Sequence, residues 1–318
     1  MDATSRQNLT AQLRHAGLTV TEDFHMHQAT TFRLGGPTPL FVDCTDADQV
    51  ERACALLRSN DLPFLLVGGG SNLLISDSGP GKAVVRLLAT AHSPSVDGEL
   101  VYTPAATTFD RLAEFCCEQG CDRLYNGSGI PGTVGGAIVG NAGAFGWQIA
   151  DDLEELELLE PDGTRHWIPA SDVRFAYRDS GLKHSSRIVL AAKLRLPPAP
   201  STDTLSERRR ILSLRASKHP DLAVDSCAGS FFRNLEPTSK AERRQAAGWF
   251  LEQAGAKKMR VGGAGVYVKH ANIPIKAASN CKAADVAMLT QRMADAVREK
   301  FDLQLVREVQ LIGEFESV

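Results

Sequence analysis

The chain has 318 residues, 43% of them hydrophobic, and a formal net charge of -3, which is enough chain for two or three domains with cores of their own. Charges of both signs are spread along it, so no basic face calls for nucleic acid as a partner. No run of 18 uncharged apolar residues is present to cross a bilayer, and the start, "MDATSRQNLT", lacks the basic-then-apolar pattern of a secretory signal.

After a polar start, residues 41–44 read as a strand and residues 47–58 as a helix. Val50, Cys54 and Leu57 form its inner stripe, at spacings of four and three. Asn60 and Asp61 end that helix, and Pro63 fixes the turn. Residues 64–67 then read as a strand that runs into Gly68-Gly69-Gly70-Ser71-Asn72. Strand, helix, strand and glycine loop is the order of an α/β portion whose site lies at strand ends. Further strands are expected at 84–87 and 100–103. Thr108 is placed as the cap of a helix reaching Gln119, with Leu112, Phe115 and Cys116 inward and Gly120 as its stop.

The stretch "NGSGIPGTVGGAIVGNAGAFG", residues 126–146, holds eight glycines and no Asp, Glu, Lys or Arg. Beyond it, 153–159 alternates as a strand, 161–164 turns, and 166–168 and 187–196 are strands. Pro197-Pro198-Ala199-Pro200 marks a domain boundary. The last third reads as a basic helix at 205–218, a Gly229-Ser230 turn and a helix at 239–253 opened by a Ser239/Glu242 capping box. A helix at 283–300 follows, with Val286, Leu289, Met293 and Val297 on one side, and then a closing strand at 303–312 that carries Glu308. The seven cysteines, Cys44, Cys54, Cys116, Cys117, Cys121, Cys227 and Cys281, read as buried, reduced thiols of a cytosolic protein. Cys117 and Cys121 lack the second close ligand pair that zinc wants, so no metal is expected.

Two glycine loops compete for explanation. Consecutive glycines let backbone N–H groups converge on one anion, and a diphosphate has no use for nearby carboxylates. The first loop has no lysine closely after it, so it is not a P-loop. Gly127-x-Gly129-x-x-Gly132 matches the dinucleotide pattern, but Pro131 sits inside it, and Gly135 and Gly136 argue against a strong helix from Gly132. The bland alternative is tight turns with backbone packed on backbone.

The ordered set of motifs decides between these readings. "TTFRLGG" at 30–36, "VGGGSNLL" at 67–74, the long glycine stretch, "YRDS" at 177–180, "AGSFFRN" at 228–234, "KHAN" at 269–272 and "REVQLIG" at 307–313 together resemble the UDP-N-acetylenolpyruvoylglucosamine reductases. The resemblance runs from about Ala29 to Gly313. It implies an α+β, vanillyl-alcohol-oxidase-like (PCMH-type) flavoprotein. Residues 1–88 and 89–200 would be two FAD-binding portions, and 201–318 the substrate portion. NADPH would reduce FAD, and the reduced flavin would deliver hydride to the enolpyruvyl ether of a nucleotide sugar in peptidoglycan precursor synthesis.

The resemblance also assigns roles. Gly68, Gly69, Gly70, Ser71, Asn72, Gly129, Ile130, Pro131, Gly132, Gly135 and Gly136 would wrap the diphosphate and ribityl chain, and Asn141, Gly143 and Gly146 would lie by the flavin ring. Arg178 would stabilise negative charge on the substrate, Ser230 would protonate C2, and Glu308 would tune that site. Tyr177 and Asn234 would serve the substrate. No insertion follows Tyr177, as in the shorter of two family types, so Tyr177 packs on or positions Arg178. The chain departs from the family at Thr30-Thr31-Phe32, Arg233-Asn234-Leu235, the Gly262–Val268 run and Ile273-Pro274-Ile275-Lys276, mostly in the substrate portion. A covalent histidyl tether at the second loop is excluded, because no His lies between His92 and His166. The remaining alternatives are another flavin oxidoreductase of the superfamily or a catalytically inactive flavin-binding homologue. A cytoplasmic monomer with no nucleic-acid or membrane partner is expected.

Overall fold

The hydrophobic stripes read from the sequence are buried by two separate cores. The computed structural model describes residues 3–88, 93–237 and 244–315. Its first compact unit takes the chain up to Asp23, then Pro39–Gly69 and Lys82–Arg215; its second takes Phe24–Thr38, Gly70–Gly81 and the chain from Ala216 onward.

In the first unit, α1 (Ala3–His15), β1 (Thr19–His25), β2 (Pro37–Cys44), α2 (Ala47–Ser59), β3 (Phe64–Val67) and β5 (Ala83–Leu87) build one layer. The sheet order is β1-β2-β5-β3, and β5 pairs in parallel with both β2 and β3. Asp46 caps α2 by accepting from the Gln49 amide, and Val50, Cys54 and Leu57 are fully buried. A second, antiparallel sheet in the order β11-β10-β14-β7-β6 comprises β6 (Ser95–Asp97), β7 (Leu100–Pro104), β10 (Leu153–Leu159), β11 (Arg165–Pro169) and β14 (Ile188–Arg195). Helix α3 (Phe109–Glu118) buries Phe109, Leu112, Ala113, Cys116 and Cys117 in the core of this unit.

The second unit pairs β4 (Leu73–Ile75) in parallel with β18 (Gln310–Ile312). It adds a small sheet of β15 (Arg260–Val261), β16 (Ala264–Val266) and β17 (Pro274–Lys276). Helices α6 (Ala247–Gln253) and α7 (Ala283–Phe301) cover its core, and Val286, Leu289, Met293 and Val297 of α7 are fully buried. Asp77 accepts from the amides of Ala283 and Ala284 at 2.9 and 3.0 Å, satisfying donors at the positive end of α7. The "TTFRLGG" segment is anchored here as well. Thr31 donates to the Cys227 carbonyl at 2.7 Å and Arg33 to that of Leu222 at 3.0 Å. At Gly36 a Cβ would overlap the Asp77 carbonyl.

Several expectations need correction. The polar start holds α1 and β1; mixed polar sequence hid both. Thr108 stands at the N-cap of α3, but its side chain makes no cap bond, and its backbone bridges to Thr133 instead. Phe115 packs against the core as expected, though it is only half-buried. The basic helix α5 (Ser201–Lys218) begins right after the proline run and remains in the first unit as far as Arg215. The closing strand is confined to 310–312, so Glu308 precedes it. A six-residue helix, α4 (Val134–Val139), does form after Gly132. The Thr133 hydroxyl accepts from the Gly136 amide, and burial of Val134, Ala137 and Ile138 outweighs the poor helix propensity of its glycines. The Ser239/Glu242 capping box lies outside the described residues.

Candidate active site

In the first unit, β3 delivers Gly68 and Gly69 against the second glycine stretch. A Cβ on Gly68 would strike the Thr133 hydroxyl, and one on Gly69 would lie 3.0 Å from the Gly132 Cα. Gly68 is required by the Thr133 side chain packed on it, and Gly69 by backbone packed on backbone. Gly129 and Gly132 take φ of +70° and +110°. Many amides of the second stretch are committed inside the unit. Gly129 N–H donates to Asp110 at 2.7 Å, Gly135 N–H to the Ala105 carbonyl at 2.9 Å, and Gly136 N–H to the Thr133 hydroxyl at 3.3 Å. Ile130 packs against the core, and exposed Pro131 offers no N–H. The count of glycines therefore overstates the count of donors left for a phosphate.

Gly136 is the informative exception. It is exposed, sits in α4, and a Cβ there would meet only the Thr133 hydroxyl, at an ordinary 3.5 Å. Neither φ nor packing demands glycine, and glycine in a helix costs roughly 1 kcal/mol relative to alanine. Its bare face is turned outward, away from the protein's own packing. The stretch ends in a tight hairpin of β8 (Gly143–Ala144) and β9 (Trp147–Gln148). Gly143 leaves no room for a Cβ against the Trp147 carbonyl, and Gly146 has φ +83° with nothing within 4 Å of a Cβ.

Asn141 is fully buried, with φ +43°. Its Nδ2 donates to Gln148 Oε1 at 3.0 Å and to the Ala176 carbonyl at 2.8 Å, and its Oδ1 accepts from Ala150 N–H at 3.3 Å. The side chain is engaged by protein at both ends, and its backbone N–H donates to the Ile138 carbonyl at 3.1 Å. Next to it, β12 (Phe175–Ala176) and β13 (Asp179–Ser180) are joined by Tyr177 and Arg178 alone. Arg178, at φ +56°, stacks its guanidinium 4.9 Å from the Tyr177 ring centroid and donates to the Gly143 carbonyl at 2.5 Å.

The second unit holds the remaining candidates. Gly70, at φ +60°, has no room for a Cβ against the Ala29 carbonyl. Half-buried Ser71 leads to Asn72, whose Nδ2 donates to the Glu308 carbonyl at 3.3 Å and whose own carbonyl accepts from Gln310 N–H at 3.0 Å. Glu308 N–H donates to the Phe231 carbonyl at 2.8 Å, and Phe232 bridges Arg307. The segments carrying Ser71, Ser230 and Glu308 are thus stitched together within one unit. Arg307 donates to Gln291 at 3.2 Å. Ser230 follows Gly229, at φ +71°, and is half-buried. Asn234 accepts from Ala247 N–H at 3.2 Å, at the start of α6.

Sequence reasoning missed two supports. Asn272 of "KHAN" is 2% exposed and holds the Phe232 amide and carbonyl at 3.0 and 2.8 Å, fixing the strand that follows Ser230. An asparagine amid apolar residues was the available signal. The other is Asp110, gripped by Arg208 at 2.6 and 3.1 Å and by Gly129 N–H. Burial pushes its carboxyl up, yet the hydrogen bonds from Arg208 and Gly129 prevail and hold it below its ordinary value of 3.8.

The α+β scaffold with its glycine loops is that of an FAD-binding protein, since residues 38–169 match the FAD binding domain family. Residues 220–312 match the UDP-N-acetylenolpyruvoylglucosamine reductase C-terminal domain. The reductase of that name from Nostoc punctiforme is 35% identical over 295 residues, covering 91% of this chain and 84% of its own. That from Gloeobacter violaceus is 34% identical, covering 89% and 93%. The crystal structure of UDP-N-acetylenolpyruvylglucosamine reductase from Thermus caldophilus has a TM-score of 0.77 at 27% identity, covering 93% of this chain and 100% of that one. The chain belongs to the UDP-N-acetylenolpyruvoylglucosamine reductase family.

Two predictions follow from this geometry. Gly136→Ala should raise the melting temperature of the flavin-free protein, by the equivalent of up to about 1 kcal/mol, yet retain less flavin on desalting. Gly69→Ala should lower both, because Gly132 must shift. Wild-type flavin retention in Gly136→Ala would contradict the assignment of its bare face.

A carboxyl lowered on folding adds stability that is present above its ordinary value and lost as pH falls through the native one. Asp110→Asn should therefore melt below wild type near neutral pH, with the gap closing as pH drops beneath 3.8. A gap that stays constant through that acid range would remove Asp110 from the clamp on Gly129.

Proposed function

We propose that the protein catalyses NADPH-dependent reduction of UDP-N-acetylglucosamine enolpyruvate to UDP-N-acetylmuramate, a step of peptidoglycan precursor synthesis. The observation that carries this is likeness to reductases of that name over nine-tenths or so of both chains, 89% and 93% in one case and 96% and 94% in another. FAD, when bound, passes hydride from NADPH to the enolpyruvyl ether. The loops at Gly68–Asn72 and Gly129–Gly146 hold it, which the unexplained bareness of Gly136 supports.

The chain's own residues handle charge and protons. Hydride addition to an enol ether conjugated with a carboxylate builds negative charge on that carboxylate and on C2. Arg178, its fork oriented by backbone carbonyls and by Tyr177, meets that charge. Ser230 delivers the proton to C2, and its strand is steadied by Asn272. Glu308 acts beside Ser230, from a segment hydrogen-bonded to Phe231, and Asn234 contacts the substrate. Residues 1–88 and 89–200 supply the cofactor-binding portions and 201–318 the substrate portion. We read the enzyme as a cytoplasmic monomer that binds neither nucleic acid nor membrane. Its small net charge supports the former; no helix among the described residues is long and apolar enough to cross a membrane.

Stopped-flow kinetics of the separate half-reactions test these roles. Ser230→Ala should leave flavin reduction by NADPH nearly intact and slow substrate reduction by about 10²–10⁴-fold, the usual range for a general acid. Arg178→Lys and Glu308→Gln should share that defect. Equal slowing of both halves by Ser230→Ala would sink the proton-donor role, and wild-type substrate reduction in either of the other two variants would remove that residue from the chemistry.

A further inference from the structure

We propose that Asn141 is the positioning residue that sets the Arg178 guanidinium. The inference rests on the reading of Arg178 given under Proposed function and adds to it the device that holds the arginine. Arg178 sits at the tip of a two-residue hairpin turn, at φ +56°, a conformation unfavourable for a side chain of its size. Asp179 pairs with His184 at 2.9 Å on one side of the hairpin, and four further polar ties run to the segment 139–143. Asn141 Nδ2 donates to the carbonyl of Ala176, two residues before Arg178, at 2.8 Å. Ser180, two residues after, donates through Oγ to the Val139 carbonyl at 2.7 Å. Arg178 itself donates to the carbonyls of Asn141 at 3.4 Å and Gly143 at 2.5 Å.

The residue type fits this task closely. The site needs a donor toward Ala176 and Gln148, an acceptor for Ala150 N–H, and a backbone at φ +43°. Only an amide carries two N–H donors on one atom beside a carbonyl acceptor, and asparagine tolerates the left-handed region better than glutamine does. The side chain is fully buried, so loss of either bond leaves a buried carbonyl or amide unsatisfied. The same side chain therefore fixes the backbone that receives the Arg178 fork and the hairpin that carries it. A misplacement of about 1 Å in such a group can cost 10²-fold in rate.

Asn141→Asp keeps the shape, removes both Nδ2 donors and sets a carboxylate against the Ala176 carbonyl. Asn141→Gly keeps the left-handed backbone and drops the side chain, which serves if the aspartate variant folds poorly. Ser180→Ala cuts the neighbouring tie. In purified holoenzyme, each Asn141 variant should slow reduction of UDP-N-acetylglucosamine enolpyruvate by about 10²-fold, with a much smaller effect on flavin reduction by NADPH and on KM. Ser180→Ala should show a milder loss of the same kind. Placed on Arg178→Lys, the Asn141 change should add little, because the group it positions is already gone. A purely structural asparagine would slow both half-reactions alike, or would impose its full loss on the Arg178→Lys background; either result overturns the proposal. If Arg178→Lys alone reduces substrate at the wild-type rate, the role of Arg178 has failed first. If Arg178→Lys is slow while both Asn141 variants are fast, the positioning claim fails by itself.

Discussion

The α-carbons of Gly69 and Gly132 stand so close that a Cβ on the first would lie 3.0 Å from the second, and a Cβ on Gly68 would collide with Thr133. This approach of two backbones is the constraint on which the rest of the first unit's site depends. It joins the end of a parallel-sheet strand to the start of α4. It also fixes where the remaining bare backbone faces. Dispersion and hydrogen bonding inside the protein, rather than a ligand, explain most glycines of the second stretch. Gly135 lies against Ala105, Gly127 against Phe109 and Gly143 against Trp147. With those positions accounted for, Gly136 remains as a glycine that the protein alone does not need.

A comparable logic runs through the candidate catalytic segments. Each charged or hydroxyl group stands beside an asparagine that ties two backbones. Asn141 joins the glycine stretch to the hairpin of Arg178. Asn72 joins the first glycine loop to the segment of Glu308, and Asn272 grips the strand after Ser230. A buried amide side chain that donates and accepts at once makes a stiff joint, since each broken bond would strand a polar atom away from water.

Much of this was legible in the sequence. The stripes of α2 and α7 were unmistakable, because Val50, Cys54 and Leu57, and Val286, Leu289, Met293 and Val297, keep strict helical spacing. The α1 helix and β1 were not, since "ATSRQNLTAQLRH" and "TVTEDFH" mix polar residues into the buried face. Helix α4 was discounted on propensity, and tertiary burial with the Thr133 cap prevailed. The roles of Arg178, Ser230 and Glu308 came only from the ordered motifs around them. What no pattern could show was which glycines face protein and which face outward. Nor could it show that Asn141 points wholly into the protein, because both depend on contacts far apart in the chain.

The central claim is that this flavoprotein reduces one particular enol ether. The most direct measurement is anaerobic. The enzyme is first reduced with NADPH, then mixed with UDP-N-acetylglucosamine enolpyruvate while flavin absorbance is followed and products are analysed. The account expects rapid reoxidation, with one UDP-N-acetylmuramate formed per flavin. A flavin that stays reduced with this compound but is reoxidised by a different organic acceptor would contradict it.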